Sequence, residues 1–310
     1  MSRDAEAPTL WDTLDRSVSL EKATVQPDPR RDVSFQRART FNGLTAREWT
    51  LLSRNVWNDV SSPRKVHHLR HGAVYPVKLA DRLIRIYSRE GDLVLDPFVG
   101  VGSTCIAAMA AGRRSIGFEL NPEFVRVARK WIRETRKGTA STLWPNVRCG
   151  DARLLITRVR DIQLTVTSPP YANFINRSVE DRRKTHKTSK LVLENNSRVR
   201  VYSNDPRDLG NLDYEPFLLE CKVILSNLLD ATRPGGYAVW IVKDYRLPPE
   251  RPYIPMHSHL AEAADAVGWK WHDLIIWDQN EQRSLVLLGY PSKFYTNQNS
   301  SYMVVLRKPD

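Results

Sequence analysis

The stretch LVLDPFVGVGSTCIAAMAAG, residues 93–112, decides the fold of this chain. Its pattern predicts a short buried strand, a turn with two glycines, and a helix that ends at Gly112. Gly100 and Gly102 allow the backbone to come close to a ligand at the N-terminus of that helix. Because open α/β sheets bind ligands at the carboxyl ends of their strands, the turn marks a candidate binding site. The G-x-G spacing lacks the lysine of a phosphate loop, which disfavours a nucleoside triphosphate.

The rest of the chain extends this unit into a sheet. Apolar runs bounded by turn residues predict six further strands, at 114–120, 147–151, 162–168, 235–244, 270–278 and 301–308. Amphipathic spacing predicts helices at 46–57, 77–87, 121–136, 217–231 and 255–268. The alternation predicts a doubly wound α/β fold of seven strands, mostly parallel and covered by helices on both faces. No helix separates the last two strands, so the last one can run antiparallel.

Composition narrows the class of partner. The chain has 310 residues and a formal net charge of +12. A protein this basic is expected to meet a polyanion, nucleic acid first; a basic surface kept for solubility is the alternative. Three scattered cysteines argue against a disulfide framework or a zinc site and predict a reduced, intracellular protein without a metal. No apolar run approaches the ~20 residues of a membrane span, and the N-terminus has no signal-like apolar core.

Acidic residues end three of the predicted strands: Asp96, Glu119 and Asp151. Glu119 lies about 20 residues beyond the glycine turn, the spacing at which α/β folds place a carboxylate that binds ribose hydroxyls. The third glycine of a dinucleotide-binding turn is replaced by Cys105, which disfavours a nicotinamide dinucleotide. The alternative interpretation is that the three carboxylates merely cap helices.

The stretch TVTSPPYANF, residues 165–174, ends a β-branched run with two prolines. Proline cannot donate to a sheet ladder, so the strand must end there; alone, the pattern is also that of an ordinary strand exit. The Ser168 hydroxyl and the Pro169 carbonyl are acceptors that the rigid corner would hold in place. Hydrogen bonds accepted from an exocyclic base amine would shift its nitrogen towards sp3 geometry and free its lone pair. Tyr171 offers a ring on which an extruded base can stack.

Two of these motifs together resemble a known family. DPFVGVGST, followed by GRRSIGFELNPEF, resembles the S-adenosylmethionine-binding motifs of the bacterial DNA amino-methyltransferases, which act on cytosine N4 or adenine N6. TSPPY resembles the catalytic motif of that family, and the resemblance extends over roughly residues 67–308. Where the family commonly has DPFxGSGTT, this chain has Val101 and Ser103. Here the cofactor motif precedes the catalytic motif, whereas many relatives with TSPPY have the opposite order.

The resemblance implies a SAM-dependent methyltransferase (Rossmann-like) sheet and a set of cofactor-binding residues. Glu119 would hold the ribose hydroxyls, Leu120 would pack on the adenine, and Asp151 would bind the adenine amine. Tyr75 and Pro76 would cover the methionine end. Ser103 and Thr104 would hydrogen-bond its carboxylate, helped by the helix N-terminus. The methionine and ribose would be lined by Asp96, Phe98, Gly100 and Gly102. The implied cofactor-binding set is Tyr75, Pro76, Asp96, Pro97, Phe98, Gly100, Gly102, Ser103, Thr104, Glu119, Leu120 and Asp151.

The resemblance also implies a catalytic set of Ser168, Pro169, Pro170 and Tyr171. Family members that methylate cytosine N4 mostly have Ser at the first position, so Ser168 favours cytosine over adenine; RNA is a further alternative substrate. Methylation of a ring carbon requires a cysteine nucleophile, typically after a proline. Each of the three cysteines follows another residue type, which argues against that chemistry.

The expected domains are an N-terminal arm, 1–66, as a candidate DNA contact, and a catalytic domain, 67–310. Within it, residues 172–212 form a basic insertion that is either a DNA-binding loop or a solvated surface. The candidate DNA contacts are Asn173, Phe174, Arg177, Arg182, Arg183, Lys184, Lys187 and Trp277, although Trp277 could equally be a core residue. We expect a cytoplasmic, nucleoid-associated protein whose partner is double-stranded DNA, with a cognate restriction enzyme as a candidate second partner. The oligomeric state stays open.

Overall fold

The quoted stretch forms a strand, β2 (Leu93–Asp96), a tight turn, and a helix, α3 (Ser103–Ala110). Gly102 has a φ of 102°, a conformation that glycine adopts without strain, and it directly precedes the helix. The turn therefore directs the N-terminus of α3 towards the carboxyl end of β2. The computed structural model describes residues 42–61, 74–137, 143–172, 205–246, 252–282 and 295–310.

Around this unit the described residues form further helices and strands. The other helices are α1 (Ala46–Leu52), α2 (Val77–Tyr87), α4 (Pro122–Arg136), α5 (Ala152–Leu155), α6 (Tyr214–Ala231) and α7 (Met256–Asp265). The other strands are β1 (Val56–Trp57), β3 (Arg114–Glu119), β4 (Asn146–Cys149), β5 (Ile162–Thr167), β6 (Thr232–Val242), β7 (Tyr245–Arg246), β8 (Tyr253–Ile254), β9 (Lys270–Asp278) and β10 (Ser300–Arg307). Short 3₁₀ turns lie at Ile156–Arg158, Leu209–Asn211 and Asn280–Gln282. Within these residues, no helix combines the length and apolar character needed to cross a bilayer.

The large sheet has the strand order β1-β9-β10-β6-β5-β2-β3-β4. All of its pairings are parallel except those of β10, which runs antiparallel to both β6 and β9. The seven predicted strands are all present in the sheet, and the antiparallel direction of the last one is confirmed. From β2 the chain proceeds outward through β3 to β4 and then returns to β5 on the other side of β2. This reversal is the topological switch point at which such sheets bind ligands.

Both faces of the sheet are buried, as a doubly wound fold requires. Along β6, Ala238 and Trp240 pack into the core beneath α6 and α7. The alternate residues Val239 and Ile241 pack into the opposite core, which includes residues of α2. Because successive side chains of β6 enter two different apolar cores, its sequence is a continuous hydrophobic run.

An eighth strand comes from the segment that the sequence assigned to an arm. Helix α1 ends at Leu52, earlier than expected, and the chain then extends so that β1 pairs in parallel with β9. Trp57 is fully buried, and the Arg82 guanidinium lies 4.2 Å above its ring. Arg82 also donates to the carbonyl groups of Leu51 and Leu52. The described part of the 1–66 segment is thus an edge of the sheet.

Candidate functional site

A cavity of about 890 Å³, measured with its open mouth included, lies at the carboxyl ends of the central strands. Twelve of the predicted cofactor-binding and catalytic residues line it: Tyr75, Pro97, Phe98, Gly100, Ser103, Glu119, Leu120, Asp151, Ser168, Pro169, Pro170 and Tyr171. The glycine turn after β2 and the proline corner after β5 therefore face one space.

Asp96 does not line this cavity, but its carboxylate accepts hydrogen bonds from several segments that form the cavity wall. Its Oδ1 accepts from Phe98 N at 3.0 Å and from Thr167 Oγ1 at 2.8 Å. Its Oδ2 accepts from Tyr75 Oη at 2.8 Å and from Thr104 Oγ1 at 2.6 Å. Burial raises the pKa of Asp96, and these hydrogen bonds oppose that rise. One carboxylate thus fixes the ends of two strands, the start of α3 and the segment before α2.

The proline corner directly follows this anchor. Thr167, the last residue of β5, is fully buried, and Ser168 is the next residue along the chain. The Tyr171 ring packs edge-on against Tyr245, with the ring centroids 5.9 Å apart. Because Thr167 is bonded to Asp96 and Tyr171 is packed, both sides of the Ser168–Pro170 corner are held in place.

Glu119 ends β3 with its carboxylate in the cavity wall. Its Oε2 accepts from Gly100 N at 3.1 Å and its Oε1 from Asn121 N at 2.8 Å. Burial raises the pKa of Glu119 to about 7, an effect that the two backbone hydrogen bonds oppose and the nearby charge of Asp208 adds to. Each carboxylate oxygen has a further lone pair that can accept from a ligand hydroxyl.

Ser103 is the first residue of α3 and also lines the cavity. Its Oγ is buried and has no hydrogen-bond partner among the described residues. Buried hydroxyls are normally bonded, and helix N-termini favour negative charge. The position therefore fits the carboxylate of a bound ligand.

The carboxylate of Asp151 is engaged by Arg153. Asp151 Oδ1 accepts from the backbone N and Nε of Arg153, at 2.9 and 3.0 Å, and Oδ2 accepts from Nη2 at 2.6 Å. Arg153 also donates to Glu220 Oε2 at 2.8 Å and to the Arg207 carbonyl at 3.1 Å. The predicted adenine-binding carboxylate thus lies in the cavity wall but forms an ion pair within the protein.

Sequence reasoning missed nine lining residues: Val74, Val99, Val101, Phe124, Gly150, Ala152, Arg207, Asp208 and Leu209. Most are neighbours of residues that the motifs identified. The segment from Arg207 to Leu209 is different, because it lies far along the chain from every motif. The short Asp-Leu-Gly pattern there indicates a turn, but nothing in the sequence brings that turn to the end of β3.

Several predicted residues do not line the cavity. Pro76 is the residue before α2, while Gly102 and Thr104 stand at the start of α3 behind the wall. Trp277 is buried in the core with Trp57 and donates to the Val60 carbonyl at 3.0 Å, because the N-terminal segment covers the β9 edge. Of the two roles expected for Trp277, a DNA contact or a core residue, the structure shows the core residue. The candidate DNA contacts Asn173, Phe174, Arg177, Arg182, Arg183, Lys184 and Lys187 lie outside the described residues.

Comparison with known proteins finds similarity over part of the chain. The family described as DNA methylase matches residues 22–130, which include the glycine turn and Glu119. This part of the chain, about a third of its length, is similar to DNA methylases. The type II methyltransferase M.MthZI of Methanothermobacter thermautotrophicus is 46% identical to this chain over 87 residues, 27% of the chain and 24% of the relative. The type II methyltransferase M.BglI of Bacillus subtilis is 38% identical over 90 residues, 29% of the chain and 25% of the relative.

This chain spans about a quarter of the length of these curated relatives. The family match at residues 22–130 ends before the Ser168–Tyr171 corner. Among solved structures, TrmN of Thermus thermophilus aligns with 75% of this chain and 48% of its own, at 16% identity and a TM-score of 0.46. The putative DNA modification methylase TTHA0409 of the same species, solved with S-adenosyl-L-methionine, aligns with 52% of each chain, at 22% identity and a TM-score of 0.34.

Proposed function

We propose that this chain transfers a methyl group from S-adenosylmethionine to an exocyclic amine of a base in double-stranded DNA. The observation that carries the proposal is the Asp96 anchor. It bonds the end of β5, and so the Ser-Pro-Pro-Tyr corner, to the same carboxylate that holds the glycine turn. Methyl transfer requires the two reactants in line and in contact, and two loops fixed on one cavity meet that requirement.

The residues of the cavity fit S-adenosylmethionine. The unpartnered Ser103 Oγ at the start of α3 fits its carboxylate, and the free lone pairs of Glu119 fit its ribose hydroxyls. Leu120 and Phe124 supply apolar lining for the adenine. When bound, this cofactor supplies a methyl group on a positively charged sulfur. The carboxylates of Glu119 and Asp208 favour a cation in the cavity.

The corner residues act on the target base. The Ser168 hydroxyl and the Pro169 carbonyl accept hydrogen bonds from its amine, which makes the nitrogen lone pair available. Pro169 and Pro170 hold these acceptors rigidly, so no reorganisation is needed during the reaction. Tyr171, held edge-on by Tyr245, supplies the face on which a base extruded from the duplex stacks.

Among exocyclic base amines, the proposed target is N4 of cytosine. This assignment rests on Ser168 at the first position of the catalytic motif, where family members that act on cytosine mostly have serine. Adenine N6 is the alternative target and RNA the alternative substrate. The basic stretch 172–212 and the arm are proposed to contact DNA phosphates, contacts that are salt-sensitive and largely independent of sequence. A cognate restriction enzyme is a further proposed partner.

Nucleoside analysis tests this function. In three parallel reactions, the purified chain is incubated with S-adenosylmethionine and either duplex DNA, tRNA or rRNA. Each nucleic acid is then digested, and its nucleosides are analysed by mass spectrometry. We expect N4-methylcytosine from DNA; N6-methyladenine alone would refute the cytosine assignment, and methylation of RNA alone would refute the substrate. The variant Ser168→Ala should lower turnover by about 10²-fold because one fixed acceptor is lost. Binding of S-adenosylhomocysteine, measured by calorimetry, should be unchanged in that variant.

A further inference from the structure

A polar cluster that the proposed chemistry does not use lies just beyond the end of β6. Asp244 is 1% exposed, and its Oδ2 accepts from Tyr253 Oη at 2.6 Å and from His257 Nδ1 at 2.8 Å. The next residue, Tyr245, packs against the Tyr171 ring. Strand β6 pairs with β5, which leads into the proline corner, and β2 lies on the other side of β5. The cluster therefore lies beside the corner, on the side away from the glycine turn.

The contacts of His257 leave one of its ring nitrogens available. The ring stacks on Tyr302, with the centroids 4.5 Å apart and the planes at 24°, while Nδ1 is bonded to Asp244. Nε2 therefore points away from the carboxylate, and it has no hydrogen-bond partner among the described residues. The side chain is partly exposed. Because Asp244 holds the proton on Nδ1, a second proton taken up by the ring is carried on Nε2, which can donate it in a hydrogen bond to an anion.

Arg246 is held by two aromatic rings. Its Cζ lies 5.3 Å from the centroid of the Tyr253 ring and 4.7 Å from that of Tyr295. Arg246 also pairs with Tyr253 across β7 and β8, and the Tyr253 hydroxyl donates to Asp244. Rings that lie over a guanidinium fix its plane without using the N–H groups within that plane, which form the fork that binds phosphate. Arg246 and His257 are thus joined through the Tyr253–Asp244 pair.

The chemistry of these two groups matches phosphate. A guanidinium and an imidazolium both donate to anions, and here each is held by an aromatic ring. Tyr253 is 41% exposed, so the cluster is accessible to a ligand from solvent. A base stacked on Tyr171 would stay joined to the phosphates on both sides of its sugar, and these would pass close to the corner. A purely structural role, in which the cluster joins the β7–β8 hairpin to α7, requires neither the charge of Arg246 nor the Nε2 atom of His257.

We infer that Arg246 and His257 bind the DNA phosphates next to the extruded base. The inference rests on the proposed function. It places phosphate contacts on the β6 side of the corner, whereas the cofactor would occupy the β2 and β3 side. Contacts of this kind hold the target nucleotide in position and do not depend on the base sequence. Both residues lie outside the motifs from which the candidate site residues were predicted.

Steady-state methylation at a series of salt concentrations tests this inference. The purified chain is assayed with tritiated S-adenosylmethionine and a bacterial genome amplified in vitro, which offers many sequences without prior methylation. Arg246→Gln should raise KM for DNA about tenfold with little change in kcat, because a phosphate contact acts equally in the ground state and the transition state. The slope of log(kcat/KM) against log salt should become shallower by about 0.9, the value for one phosphate contact. The matched control Arg114→Gln removes an exposed arginine at the start of β3, and both quantities should stay as in the wild type.

Two substitutions at His257 separate phosphate binding from support of the fold. Asparagine places an amide near the position of Nδ1 and keeps the hydrogen bond to Asp244, but it has no counterpart of Nε2. Glutamine is longer, and its amide can replace Nε2 as a donor. His257→Asn should therefore raise KM for DNA about tenfold, and His257→Gln should raise it less. Binding of S-adenosylhomocysteine, measured by calorimetry, should be unchanged in both variants and in Arg246→Gln.

Three results would overturn the inference. The first is an Arg246→Gln variant that behaves like Arg114→Gln, and the second is an equal rise in KM for the two His257 variants. The third is a loss of S-adenosylhomocysteine binding in these variants, since the cluster would then support the fold or the cofactor cavity. A wild-type chain that methylates no DNA would refute the proposed function, and the inference with it.

Discussion

At the scale of single residues, four carboxylates around the cavity are held in four different ways. Asp96 accepts from four other residues, and Asp151 accepts from three N–H groups of Arg153. Glu119 accepts one backbone hydrogen bond on each oxygen, while Asp208 accepts from Gly210 N on one. Asp96 therefore has the fewest lone pairs left for a ligand, and Glu119 and Asp208 have the most.

The raised pKa of Glu119 gives cofactor binding a pH dependence. Ribose hydroxyls donate to the ionised carboxylate, so affinity should fall as pH decreases through about 7. At pH 6 we expect S-adenosylhomocysteine to bind about tenfold more weakly than at pH 8, because one protonation must be reversed. Calorimetric titrations at half-unit pH intervals measure this profile.

In the ligand-free protein, the raised pKa of Glu119 makes the free energy of unfolding fall as pH rises, whereas ligand affinity increases with pH. A carboxyl whose pKa is raised by folding stabilises the fold below its unfolded pKa of about 4.3, and this contribution is lost as pH rises through about 7. Glu119→Gln should bind the ligand weakly, with a flatter profile over this range. The variant does not remove the nearby carboxylates of Asp96 and Asp208. An unchanged slope in this variant would therefore assign the titration to another group.

At the scale of elements, the glycine turn depends on the strand beside it. Val99 lies over β3, and its backbone N donates to the Phe118 carbonyl at 2.9 Å. A Cβ at Gly117 would lie 2.7 Å from Val99 Cγ2 and 2.8 Å from Val99 Cβ. Only glycine at residue 117 leaves room for the turn to settle against the sheet. The turn's position therefore depends on a residue outside its own motif.

Gly117→Ala should displace the turn and weaken binding of S-adenosylhomocysteine by about tenfold or more, because Gly100 and Phe98 flank Val99 in the cavity wall. The clash comes from the Val99 side chain, so the double variant Gly117→Ala/Val99→Ala should recover much of the lost affinity. Calorimetry on the two single variants and the double variant measures this coupling. Strictly additive losses would show that the clash is relieved elsewhere.

At the scale of the whole molecule, the N-terminal segment is part of the fold. Trp57 pairs with Trp277 across β1 and β9, and Asn42 Nδ2 donates to the carbonyl groups of Arg85 and Ile86 at the end of α2. Residues 42–61 therefore cover one edge of the sheet and one end of a helix. Any DNA contact proposed for the 1–66 segment must coexist with this structural role.

Trp57→Ala should lower the free energy of unfolding by about 3–5 kcal/mol, because it empties a fully buried site and removes the ring beneath Arg82. Trp144→Ala is the matched control, since Trp144 is 53% exposed and its loss should change stability by about 0.5 kcal/mol or less. Urea denaturation of the two variants provides the comparison. Equal effects would mean that β1 contributes little to the fold.

The sequence by itself determined the local parts of this protein. Two glycines before an apolar helix, two prolines after a β-branched strand, and acidic residues at strand ends each follow from backbone chemistry within a few residues. These patterns identified the alternating strands and helices and twelve residues of the cavity wall. The predicted helix at 46–57 ended too late because its apolar residues also suit an edge strand, and pairing with β9 decides between the two.

Only the tertiary structure decided which distant residues meet. Asp208 reaches the cavity because Arg153 bonds to Asp151, Glu220 and the Arg207 carbonyl at once, and no sequence spacing records such a junction. Trp277 belongs to the core because the N-terminal segment covers the β9 edge. Local backbone preferences act between neighbours in the chain, whereas hydrogen bonding and burial act between neighbours in space, and chain folding alone brings those together.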